Sequence, residues 1–141
     1  MEEKSTEKAK QLGQNPKDLL GSRKVSLTKL PAAGIIHGAH AMMNGADKYG
    51  PYNWRGNAVI ASIYVDAAMR HLMQWFEGEE EAGDSLVHHL GHAIACCAIL
   101  LDAQTTGNLI DDRPIKEYVG AATDTLQDLE EKIKQLKESK K

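Results

Sequence analysis

Five side chains between residues 71 and 92 could carry acid–base chemistry or hold a metal ion: His71, Glu79, Asp84, His89 and His92, with Arg70 beside the first. Imidazole exchanges a proton near neutral pH, so a paired histidine can act as a general acid or base. Carboxylates accept from imidazole and also bind hard cations such as Mg²⁺. His89 and His92 are three residues apart, which puts both on one face of a helix. The connection before them, EGEEEAGDS, supplies Glu77, Glu79, Glu80, Glu81 and Asp84. Such a run is either a solvated surface or an oxygen-rich cation site.

A second group lies upstream in KYGPYNWRGN, residues 48–57. Gly50-Pro51 and Gly56-Asn57 are turn signals. The loop nonetheless holds Tyr49, Tyr52, Trp54 and Arg55. Aromatic rings and a guanidinium in a turn-rich segment can stack a planar base and contact phosphate. The alternative is a loop pinned over the core by its own aromatic side chains. His37 and His40 share a face as well, either for a metal or for solvent. Adjacent Cys96 and Cys97 cannot form an ordinary disulfide and lack zinc-site spacing, so they read as small core residues. There is no glycine-rich phosphate loop, no Cys-x-x-Cys pair, no nucleophile elbow and no adjacent His-Asp pair.

Helices must position these groups. Three- and four-residue spacing predicts a helix over 32–47, opened by Pro31 and rich in small residues that permit close packing. A second is predicted over 58–77, with Ile60, Ile63, Tyr64, Ala67, His71, Leu72 and Trp75 on one stripe and Gly78 as its stop. The third runs over 85–106, capped by Asp84 or Ser85. Leu86, Leu90, Ala93, Cys97, Leu100 and Leu101 fill one side, and its middle is apolar all round, so it is central. Antiparallel pairing of the second and third helices would bring His71 to Trp75 beside Leu86 to His92, beneath the acidic connection.

The DDRP turn opens a fourth helix at Pro114. In it Ile115, Val119, Ala122, Leu126, Leu129, Ile133 and Leu136 recur every seven residues, the pattern of a coiled-coil seam. That seam lies either along its own domain or against a second copy, and its charged tail favours a homo-oligomer through 114–138. The fold class is therefore all-α: about four helices in one small bundle with a heptad-patterned C-terminal helix. The chain divides into a polar arm over 1–24, a helical core over 25–113 and the amphipathic helix over 114–141. A short helix over 2–11 and an extended segment over Lys24 to Lys29 complete the reading.

With 141 residues the chain is long enough for one core. A net charge of −3 argues against binding a nucleic-acid polymer. No apolar run approaches the roughly 20 residues needed to span a bilayer, and MEEKSTEKAK is no signal peptide, so a cytoplasmic protein is expected.

The run GADKYGPYNWRG, then RHLMQWFEGEE, then HLGHAIACCAILL and finally DDRP resembles the small, mostly phage-encoded dATP/dGTP diphosphohydrolase N-terminal-domain proteins. The resemblance covers roughly Val25 to Pro114. It is carried by Gly45, Lys48, Tyr49, Gly50, Asn53, Trp54, Arg70, His71, Trp75, Gly78, Glu79, Asp84, His89 and His92. It implies cleavage of a purine deoxynucleoside triphosphate to monophosphate and pyrophosphate. On that reading His71, Glu79 and His89 are catalytic. Glu79, Asp84, His89 and His92 hold Mg²⁺, or Mn²⁺, in some subset. Lys48, Arg55 and Arg70 meet phosphates, with Tyr49, Asn53 and Trp54 around the purine.

One departure stands out. The better-known all-α nucleotide pyrophosphohydrolases carry Glu-x-x-Glu and Glu-x-x-Asp on separate helices. Here Glu77-x-x-Glu80 and Glu81-x-x-Asp84 share one connection. Two further readings therefore stay open. One is a non-catalytic nucleotide binder that sequesters a defence signal. The other is a structural role, in which histidines and tryptophans knit a helical core.

Overall fold

The computed structural model describes residues 15–114 and 116–141. The helix expected over 2–11 and the heptad position Ile115 lie outside these residues.

Among the described residues five helices follow in order: α1 (Pro16–Gly21), α2 (Ala32–Tyr49), α3 (Ala61–Phe76), α4 (His89–Thr105) and α5 (Ala121–Ser139). Two short strands, β1 (Val59–Ile60) and β2 (Leu109–Ile110), pair in parallel with Val59 opposite Leu109. The expected all-α class holds. The arm is not uniformly loose, because Asn15 caps α1 by accepting from the Lys17 N–H at 3.0 Å. The segment expected to be extended contains a 3₁₀ turn, Leu27–Lys29.

α4 is central, as its apolar middle predicts: α2 and α3 both pack on it. The contact with α2 depends on glycine. A Cβ on Gly91 would lie 2.5 Å from the His37 carbonyl oxygen, and one on Gly38 would lie 2.8 Å from Ile94 Cγ2. With no side chains in the way, the two backbones come together.

Helix ends differ from the sequence reading where other groups act as caps. α3 begins at Ala61 rather than 58, because residues 59–60 join the strand pair. Its first turn is closed from far along the chain: Asp112 accepts from the Ser62 N–H at 2.8 Å and from the Ser62 hydroxyl. A carboxylate at a helix N-terminus also complements the helix dipole. The DDRP turn reads as the start of the last helix, with one of its aspartates as the cap; Asp112 caps α3 instead. α4 begins at His89, not 85, and its cap is His88, whose Nδ1 accepts from the Leu90 N–H at 3.0 Å. The last helix begins seven residues after Pro114, at Ala121, behind Gly120 in a left-handed conformation.

Burial also corrects the stripes. Leu86 is exposed at a φ of 61°, and Cys97 and Leu101 are exposed, so they do not fill the covered side of α4. Cys96 is half-buried, and neither cysteine is in the core cluster. On α3, Ile63 and Leu72 face solvent, while Ala61 and Ala68 are buried. Every residue of α5 is exposed, including Leu126, Leu129, Ile133 and Leu136.

Candidate functional site

The acidic connection between α3 and α4 is folded back on itself. The Ala82 N–H donates to the Val87 carbonyl at 2.9 Å, and the His89 N–H donates to the Glu80 carbonyl at 2.9 Å. Ala82 and Val87 are buried beneath it. Polar residues face outward from this clasp, which is why the sequence reads as a solvated loop.

The clasp aims two carboxylates at two histidines. Glu79 Oε1 lies 2.9 Å from His89 Nε2, and Glu80 Oε2 lies 3.0 Å from His88 Nε2. His89 is 1% exposed, the one buried polar side chain among the described residues. Its other ring nitrogen, Nδ1, lies 2.9 Å from His71 Nδ1 on α3. A carboxylate can only accept, so the proton on His89 belongs on Nε2. With one proton on the ring, Nδ1 is an acceptor and His71 donates to it. His71 then holds its own lone pair on Nε2.

His92 completes the group. Its ring stacks on His71, with centroids 4.4 Å apart, and its Nε2 lies 3.0 Å from Ser85 Oγ. Burial lowers the pKa of both His71 and His92 below the ordinary histidine value. For His71, neighbouring His92 and His89 lower it further. For His92, the Asp84 carboxylate opposes the shift. Both rings are therefore neutral at pH 7 and suited to accepting a proton.

His71 and His92 open on a pocket of about 330 Å³. Lys48, Tyr49, Asn53 and Trp54 line it from the end of α2 and the following loop, with Tyr64 and Cys96 among its walls. That volume is at the lower end of small-molecule sites. Of the expected substrate-binding residues, the fold thus brings Lys48, Tyr49, Asn53 and Trp54 to one pocket with His71 and His92. Arg70 sits next to His71 and acts on it electrostatically, but is not part of the lining.

Arg55 is placed elsewhere. Its guanidinium forks onto Asp102, with Nε 3.0 Å from Oδ2 and Nη2 2.8 Å from Oδ1, and lies 4.4 Å from the centre of the Tyr52 ring. Trp54 Nε1–H donates to the same carboxylate at 2.7 Å. Hydrogen bonds from Arg55 first, then Trp54, pull the pKa of Asp102 down to about 2. Asn108 donates to the Trp54 and Asn57 carbonyls. Trp54 is pinned in a cluster with Val59 and Ala103, as the alternative reading of the aromatic loop expects, and it also walls the pocket.

The expected metal ligands do not fit a cation as a set. Both ring nitrogens of His89 are engaged, and His92 Nε2 faces Ser85. Among the described residues, no three His, Cys, Asp or Glu side chains converge as ligands. His37 turns towards His88, with ring centroids 5.0 Å apart.

Sequence reasoning missed Asp102 and Asn108, and read Ser85 only as a helix cap rather than as the partner of His92. Asp102 carried a signal: it is a lone carboxylate in an otherwise apolar helix segment, where an acid needs a partner. No described helix is long and apolar enough to cross a membrane.

No curated protein and no solved structure gave a match to the chain. Residues 14–113, however, match the model of the family described as dATP/dGTP diphosphohydrolase, N-terminal. The chain belongs to that nucleotide-handling family.

Proposed function

We propose that the protein hydrolyses dATP or dGTP to the monophosphate and pyrophosphate. The carrying observation is the Glu79–His89–His71 hydrogen-bond chain, which ends beside a pocket lined by Lys48, Tyr49, Asn53 and Trp54. In this reading water attacks the α-phosphorus. A new P–O bond forms, the bond to the bridging oxygen breaks, and pyrophosphate leaves with the electron pair. His71 Nε2 takes the water proton. His89 and Glu79 hold the ring in the tautomer that can do so and stabilise the positive charge it gains. Lys48 and Arg70 neutralise phosphate, and Tyr49 and Trp54 flank the purine. Mg²⁺ or Mn²⁺ enters as the ion that accompanies the triphosphate, and no step is routed through it. The setting is the cytoplasm of a phage-infected host, with no nucleic-acid polymer or membrane as partner. α5 pairs with a second copy through its heptad seam.

The second reading is a non-catalytic nucleotide binder. It is favoured by the unassembled carboxylates: Glu79 and Glu80 are turned onto His89 and His88 rather than onto a common point. The test is incubation with dATP, dGTP and other nucleotides, with and without Mg²⁺ or Mn²⁺, followed by chromatography of the products. Monophosphate and pyrophosphate, lost in His71→Ala, support the hydrolase. Intact nucleotides throughout remove it for those substrates, and a nucleotide released unchanged from heat-denatured protein supports the binder.

A further inference from the structure

α3 presents an uncharged stripe to solvent on the side away from the histidines. Val65, Met69, Leu72, Met73 and Phe76 are all exposed, with Phe76 the most so at 86%. Val65, Met69, Leu72 and Phe76 are spaced 4-3-4 along the helix, so they form one continuous ridge. The spacing reads the same in both directions. Val65 and Phe76 lie equally far from the midpoint between Arg70 and His71, and so do Met69 and Leu72.

Beside Val65 is a hollow of about 130 Å³, walled by Ala61, Leu100, Leu101 and Leu109, with Gln104 and Arg113 on its polar side. A cavity of roughly 150 Å³ lined by aliphatic side chains accepts a benzene ring. The protein therefore carries an exposed phenyl knob at one end of the ridge and a mainly apolar hollow of similar size at the other.

We infer that the outer face of α3 is a two-fold interface with a second copy of this chain. Two α3 helices run antiparallel, and Phe76 of each copy enters the hollow beside Val65 of the other. Met69 of each meets Leu72 of the other. A two-fold contact requires this reciprocity, residue i on j and j on i. The stripe and the hollow would bury roughly 500 Å² per copy, about 1,000 Å² in all, which reaches the lower bound for a specific interface. The contact is separate from α5 and from the histidine pocket, whose α3 residues, Tyr64, Ala67 and His71, lie on another side of the helix.

The test is native mass by light scattering on the full chain, in a Leu129→Lys/Ile133→Lys background that disables the α5 seam. That background should run at twice the 15.5 kDa chain mass. Phe76→Glu and Val65→Arg, at opposite ends of the ridge, should each halve it, while Ile36→Glu on exposed α2 should not. All three sites are solvent-exposed, so helical circular dichroism and melting should be unchanged. A monomeric background, a mass that survives Phe76→Glu and Val65→Arg, or equal loss with Ile36→Glu would overturn the inference.

Discussion

His71 Nδ1 and His89 Nδ1 face each other at 2.9 Å, although the residues lie on different helices and only one of them is buried. Two like nitrogens can share only one proton. Since Glu79 fixes the His89 proton on Nε2, the shared proton comes from His71, and His71 Nε2 is left as the basic atom of the group.

His71→Ala should therefore abolish turnover, with a smaller effect on folding than loss of the buried His89. Loss of a positioned general base costs about 10² to 10⁴ in rate. His89→Ala is a poorer probe. It empties a buried site and leaves Glu79 and His71 without their partner, so it should also destabilise the fold by about 1–3 kcal/mol. Nucleotide turnover and chemical denaturation, measured on both variants, separate the two effects. Equal loss of stability in both would remove the catalytic role of His71.

The pH dependence has a definite sign. The folded-state pKa values of His71 and His92 are lowered by burial, so the folded protein binds fewer protons than the unfolded chain. Stability is then complete above the unfolded histidine value, roughly 6.5, and falls as pH drops from there towards the folded values. Activity should fall on the acid side too, with its midpoint below that of free histidine. Denaturation between pH 5 and 8, together with a pH–rate profile, reads both. A midpoint above 6.5 would contradict this placement of His71.

Much of the bundle was legible because its signals are local. Alternating three- and four-residue spacing marked α2, α3 and α4, and Gly78 marked the end of α3. His71 stood out as a polar residue on an apolar stripe, and His89 because it shares a helix face with His92. What stayed hidden depends on distance through space. Asp112 capping α3, Asp102 holding Arg55, and Glu79 turning onto His89 are all set by tertiary packing. Leu86 illustrates the same limit: its apolar type predicts a covered helical position, but the clasp forces it to a positive φ and into solvent.

Gly91→Ala should weaken the crossing of α2 and α4. The added methyl would press on the His37 backbone carbonyl, which cannot rotate away as a side chain would. Overpacking of this kind costs about 1–3 kcal/mol. Gly34→Ala is the control, because its nearest neighbour is the tip of Ile94 at 3.9 Å. Denaturant midpoints should drop for Gly91→Ala and hold for Gly34→Ala. Equal midpoints would mean that the helices can move apart freely.

The α5 seam makes a claim about assembly. Leu126, Leu129, Ile133 and Leu136 are each about half exposed. Leu129→Lys with Ile133→Lys places two charges in the seam and should lower native mass without changing the melting of α2 to α4. An unchanged mass would mean that α5 does not assemble copies.

Asp102→Asn tests the clamp behind the aromatic loop. The amide oxygen can still accept from Trp54, but it cannot form the charged fork with Arg55. Freed from Asp102, Arg55 loosens the turn that presents Asn53 and Trp54 to the pocket. KM for the nucleotide should rise several-fold, kcat should change less, and the melting temperature should fall by a few degrees. The variant should also lose a pH response. With the carboxyl of Asp102 held at about 2, its contribution is complete above the ordinary aspartate value and is lost as pH falls towards 2. Wild type and Asp102→Asn should therefore converge in stability in acid and diverge above pH 4. If the two curves stay parallel through that range, the Arg55–Asp102 pair does not hold the loop.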